Sequence, residues 1–127
     1  MTVTIYGTNG VAFAARPSDI EVGQKTIVVR GQLVLSGNYV TGGDTIDFTA
    51  IASYLPSTVL RQLKVWSQAG QLAHQLVPSG GPATALNAWR LFCGAASTFG
   101  TQLAAAAYPA ALTGDTIMFE ATFEKLA

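Results

Sequence analysis

Asp115-Thr116-Ile117-Met118-Phe119-Glu120-Ala121-Thr122-Phe123-Glu124 is the stretch whose reading decides the fold. Ile117, Phe119, Ala121 and Phe123 occupy alternate positions, and Thr116, Met118, Glu120, Thr122 and Glu124 fill the gaps. Successive strand side chains point to opposite faces, so a period of two marks a strand with one buried and one wet side. The start of this strand has an echo. Thr113-Gly114-Asp115-Thr116-Ile117-Met118-Phe119 repeats the pattern of Thr41-Gly42-Gly43-Asp44-Thr45-Ile46-Asp47-Phe48. Glycine reaches positive φ without steric cost, and Asp bonds back to nearby backbone. Each copy therefore reads as a turn launching a half-buried strand. Two such launches predict two equivalent strand starts in one sandwich or barrel.

Working outward, Lys25 to Ser36 gives a strand with Ile27, Val29, Leu33 and Leu35 in phase and a bend or bulge at Gly31. Asp44 to Ile51 is expected as the next strand, with Ile46, Phe48 and Ala50 inward, the two forming a hairpin. Val59 to Ser67 alternates, although Leu60, Leu63 and Lys64 also suit a helix. With Gln71 to Val77 it is expected to make a second hairpin. Pro78-Ser79-Gly80-Gly81-Pro82 breaks the chain. In Leu86 to Cys93, Trp89, Leu91 and Cys93 share one side, and the largely apolar opposite side predicts cover on both faces. Residues 102–108 fit either a short alanine-rich helix or extended chain. Residues 1–24 hold one short strand, Thr2 to Tyr6, then the turn Thr8-Asn9-Gly10, the apolar patch Val11 to Ala15 and Arg16-Pro17. They read as an extended N-terminal arm or loop region before a single domain at 25–127. The sum is an all-β chain of seven or eight short strands, a β-sandwich of jelly-roll type.

At 127 residues the chain makes one domain, able to bury roughly two-thirds of its unfolded surface. Half of it is hydrophobic and only 11 % is charged, where an ordinary soluble domain has about 25 %. From Val65 to Gly114 the one formal charge is Arg90. Either that half has a surface of Ser, Thr, Gln, Asn and Gly, or much of it faces another subunit, since interface cores are depleted in charge. Seven basic and seven acidic residues cancel, so nothing steers the chain to nucleic acid or to an anionic membrane. The start has neither the basic head nor the apolar run of a signal peptide. The charge-free stretch Leu91 to Gly114 is too broken by glycine, proline and hydroxyl residues for a membrane helix.

No constellation for catalysis is legible, so catalytic, cofactor-binding and metal residues are all expected to be absent. His74 is the one histidine, and its alternation with Leu72 and Leu76 places it on a strand face. A zinc site needs about four N, S or O ligands. Cys93 has no charged sequence neighbour to activate it and reads as a small core hydrophobe. Asp44 and Asp47, three apart, point to opposite faces of a strand and make no acid–base pair. Asp44 reads as a turn residue and Asp47 as solvated, with a cation site the alternative. Gly42-Gly43-Asp44 and Gly80-Gly81-Pro82 lack the helix and lysine of a phosphate loop. Trp66 and Trp89 are core or interface anchors, or a stacking platform for a sugar.

The run from Arg30 to Phe48 resembles a segment of small head-associated structural proteins of tailed bacteriophages, and Ala107 to Phe123 resembles their C-terminal strand. The resemblance implies a capsid decoration, or cement, protein: jelly-roll-like, often trimeric, without catalytic residues. It would be made in the host cytoplasm and seated on the outer capsid surface of the virion, over junctions between major capsid proteins. The alternative is a carbohydrate- or receptor-binding module of a phage fibre or tail.

Overall fold

The alternating stretch at the C-terminus is the central strand of the larger of two sheets. The structure is a computed structural model and describes residues 3–13, 19–55, 59–67, 76–80, 86, 89–95, 102–103, 105–114 and 116–125. The elements are β1 (Val3–Tyr6), β2 (Ile20–Val22), β3 (Thr26–Leu35), β4 (Asp44–Ile46), a 3-10 helix (Phe48–Tyr54), β5 (Leu60–Ser67), β6 (Leu76–Ser79), β7 (Trp89–Cys93), α1 (Ala110–Thr113) and β8 (Ile117–Glu124). The larger sheet runs β1-β3-β8-β5, with β2 also on β3, and the smaller runs β4-β7-β6. Every pairing is antiparallel. The chain is thus an all-β sandwich.

The buried positions follow the period of two. On β8, Ile117, Phe119, Ala121 and Phe123 are all buried, as their spacing requires. On β3, Ile27, Val29, Leu33 and Leu35 join them. The smaller sheet contributes Ile46, Leu91 and Cys93. Phe48 stands between the sheets, its ring edge-on to Phe119 at 6.0 Å and to Phe123 at 5.6 Å. Such contacts add about 0.5–1.5 kcal/mol each beyond area burial. In the larger sheet β8 lies between β3 and β5, and in the smaller β7 lies between β4 and β6.

Several expectations are corrected by this arrangement. The β3–β4 hairpin does not form, because the two strands lie in different sheets; β5 and β6 also lie in different sheets, and residues 71–75 of the second expected hairpin lie outside the described residues. Periodicity says which side chains point inward but not which sheet carries them. The strand expected over Asp44 to Ile51 ends at Ile46. The Asp47 carboxylate accepts the Thr49 N–H at 2.9 Å and caps a 3-10 helix, so Phe48 and Ile51, three apart, face the core. Ala50, expected inside, is exposed. The helical alternative over the first half of Val59 to Ser67 gives way to β5, bulged at Arg61 between Leu60 and Gln62.

The expected N-terminal arm carries two short strands in its described parts. β1 pairs with the far half of β3 and β2 with its near half, on one edge. Val3 is buried, and Asp19, fully buried, accepts the Thr8 N–H at 2.9 Å and the Thr8 hydroxyl at 2.7 Å. Residues 102–103 and 105–108 are not helical; Gln102 and Ala107 form isolated bridges with Gly94 and Asn38. The two echoing launches are not equivalent. The first opens a three-residue strand of the small sheet after two glycines at φ +94° and +96°. The second opens the central strand of the large sheet, through Gly114 at φ −88° closing α1.

Candidate functional site

The registers give the sandwich two unlike ends. Leu33 lies opposite Ile117, and Ile117 opposite Ser67. The end of β3, the start of β8 and the end of β5 therefore share one end with the 36–43 loop and α1. At the opposite end Thr26 meets Glu124, and Leu60 meets Phe123.

Charge sorts along this axis. Glu21, Lys25, Arg61, Glu124 and Lys125 cluster at the β3 start. Here Arg61 Nε donates to Glu124 at 2.6 Å and Lys125 Nζ to the Gly23 carbonyl at 3.2 Å. Gln24, Lys25, Thr26, Arg61 and Glu124 line an open depression of about 340 Å³. In mid-sheet, Lys64, Glu120 and Arg30 form a row across three strands. Arg30 bonds Glu120 and Glu21 at 3.0 Å each, and the Glu21 bond, ahead of all other influences, raises its pKa. One step along, the row is Trp66, Met118, Gln32 and Tyr6, without charge.

The end that holds the 36–43 loop is built around buried hydrogen bonds, and the Arg90 guanidinium donates to the Gly43 carbonyl there at 3.2 Å. Tyr39 is 1 % exposed and stands edge-on to Tyr108, ring centres 5.9 Å apart. Its hydroxyl donates to Gln102 Oε1 at 2.6 Å, and the Gly42 N–H donates to the same oxygen at 2.6 Å. The Tyr39 N–H reaches the Ala106 carbonyl at 2.8 Å, and the Tyr108 N–H reaches that of Gly37 at 3.1 Å. The Tyr108 hydroxyl donates to the carboxylate of buried Asp44. The 36–43 loop is thereby tied down by a segment more than sixty residues away. Burial raises the Tyr39 pKa, and it pushes the Cys93 thiol up to about 12, with the Asp44 charge adding to the effect. A thiol held protonated is a poor nucleophile.

The residues named from sequence fall as follows. Cys93 is in the core, as expected. Asp44, expected as a turn residue, is buried under Tyr108, while Asp47, expected to be solvated, caps the 3-10 helix. Trp66 is 43 % exposed on the outer face of the large sheet. Trp89 is half-buried over Gly80, and its indole N–H is buried without a hydrogen-bond partner among the described residues. His74 and Asp115 lie outside the described residues. No group of three or more His, Cys, Asp or Glu gathers among the described residues, and no helix among them is long and apolar enough to cross a membrane. Tyr39, Gln102, Tyr108 and Asp19 were not singled out from sequence, since their partners are remote and no local pattern marks them. No family model, curated protein or solved structure matches the chain.

Proposed function

We propose that the chain is a non-enzymatic virion structural protein: a capsid decoration or cement protein that binds the outside of a phage head and secures contacts between major capsid proteins. The observation that carries this is the segregation of charge. The outer face of the large sheet and one end hold the ion pairs, whereas the small sheet turns Val77, 43 % exposed, and half-buried Phe92 outward beside the single charge of Arg90. A protein that works by contact needs such surface, because interface cores are poor in charge. A ligand that binds only the assembled shell stabilises it by mass action. The test mixes the purified protein with shells of the phage that encodes it. Saturable co-sedimentation and a raised shell melting temperature are expected; absence of binding would overturn the proposal.

One observation favours a second reading. Trp66 presents an exposed ring beside Lys64 on the outer sheet face, a surface on which a sugar can stack. Glycan-array binding abolished by Trp66→Ala would support a carbohydrate-binding module instead.

A further inference from the structure

We propose that the depression at the start of β3 is an anion-binding site that takes a carboxylate side chain from a short acidic segment of a protein partner. The inference deepens the contact-protein reading by naming what one contact recognises, and it rests on that reading only for who the partner is.

Net neutrality hides a basic exterior. Asp19, 0 % exposed, is held by Thr8, and Asp44, 6 % exposed, lies under Tyr108, so two acidic residues are withdrawn from the surface. None of the described lysines and arginines is buried. On the outer face of the large sheet Arg30 is taken by Glu21 and Glu120. The positive excess gathers at the depression, where Lys25, Arg61 and adjoining Lys125 outnumber one carboxylate, Glu124.

The site is built before anything binds. The 23–25 turn between β2 and β3 is closed by the Gly23 N–H on the Thr26 carbonyl at 2.8 Å. Lys125 pins this turn twice, its N–H donating to the Lys25 carbonyl at 2.9 Å and its Nζ to the Gly23 carbonyl at 3.2 Å. Facing the turn, Arg61 stands at the bulge of β5 and donates through Nε and Nη2 to one oxygen of Glu124. That pair orients the guanidinium and leaves further N–H groups of its donor fork for a second acceptor. Lys25 adds a cation on the turn, and the Gln24 amide adds a neutral donor. Groups held in place before contact lose less freedom on binding.

Size and charge decide the occupant. About 340 Å³ is the small end of the range for ligand sites, room for one or two side chains of a peptide. The methylene stems of Gln24, Lys25 and Arg61 give it apolar walls beneath polar tips. A carboxylate matches the guanidinium fork. A nucleic-acid strand fits poorly, because its next phosphates along the sheet would meet Glu21 and Glu120, and such interfaces draw on far more positive charge. An anionic membrane calls for a cluster of about four to eight cations. A short acidic segment needs only one carboxylate in place.

Heteronuclear NMR on the isotope-labelled full-length chain tests this with a blocked hexapeptide of alternating glutamate and leucine. Saturable shifts are expected at the Gln24, Lys25 and Thr26 amides and at Arg61 Nε, weakening steeply as salt rises. Lys25→Glu should weaken binding roughly tenfold, and Arg61→Gln should weaken it as well. Lys64→Glu, roughly 10 Å from Arg61 along β5, should change it less than about threefold. Circular dichroism checks that each variant is folded, and either depression variant suffices if the other is not. Shifts that never saturate, equal binding of a hexapeptide with glutamine in place of glutamate, or unchanged binding by the folded depression variants would each overturn the inference. So would tighter binding, at these same residues, of an oligothymidine or of phosphatidylserine vesicles. No shell enters this experiment. Peptide binding at the depression by a protein that ignores shells would leave the inference standing and remove the capsid reading; shells bound equally by the wild type and Lys25→Glu, with no peptide binding, would do the reverse.

Discussion

At the scale of single residues, Gly31 is the most constrained position. It faces Phe119 across the β3–β8 ladder and lies beside the Tyr6 carbonyl of β1. A Cβ there would overlap that carbonyl oxygen and come within 2.9 Å of the Phe119 ring. Gly31→Ala is therefore expected to destabilise the fold by about 3 kcal/mol, the upper range of overpacking, read as a lowered urea midpoint with an unchanged slope. The sequence marked Gly31 as irregular, but the need for glycine comes from neighbours 25 and 88 positions away in the chain, which no local pattern reveals. Cys93 gives a second prediction. Its folded pKa of about 12 exceeds the ordinary value of 9.0 because burial disfavours the thiolate. Between those values the unfolded chain releases the thiol proton and the folded chain retains it, so this contribution to stability is intact below pH 9 and is lost as pH rises toward 12. Buried Tyr39, also raised, acts in the same direction. Unfolding followed across that range should steepen accordingly, and Cys93→Val should flatten part of the fall. Native Cys93 should resist a thiol reagent until denaturant is added; rapid native labelling would contradict the burial.

At the scale of elements, legibility tracked the length of uninterrupted alternation. β8 and β3 were readable because eight and ten residues of alternation leave little choice of period. β4 was not, since three residues carry almost no period, and the Asp47 cap that turns the chain into a 3-10 helix looks the same in sequence as a solvated aspartate. Sheet membership was the larger failure. The supposed β3–β4 hairpin splits between sheets, and β5 and β6 also lie in different sheets. The edges yield a prediction of their own. Pro78 denies the outer side of β6 an N–H donor, and an unguarded edge is a template for another chain. Pro78→Val should leave the fold intact by circular dichroism yet aggregate faster at elevated temperature, measured by light scatter. Equal aggregation rates would show that the proline does not guard this edge.

For the whole molecule, the N-terminal segment supplies two strands to the edge of the large sheet. Deleting residues 1–24 would remove β1 and β2, expose the edge of β3 and discard fully buried Asp19 together with Val3. The truncated chain is expected to lose its cooperative thermal transition; retention of a wild-type transition would restore the arm reading. The same scale holds the polarity of the surface. Net neutrality and the charge gap between Val65 and Gly114 were plain in the sequence. That the ends of β5 and β7 and the Val34 to Thr41 region come to one end was not, because only the strand registers bring these strands into line. The central claim is that the molecule works by contact with a shell. Hydroxyl-radical footprinting of the full-length chain with and without shells of the phage that encodes it, read residue by residue by mass spectrometry, tests it most directly. Val77 and Phe92 should become protected when shells are added, while Trp66 keeps constant reactivity. Val77 and Phe92 reacting at the same high rate throughout would contradict the account.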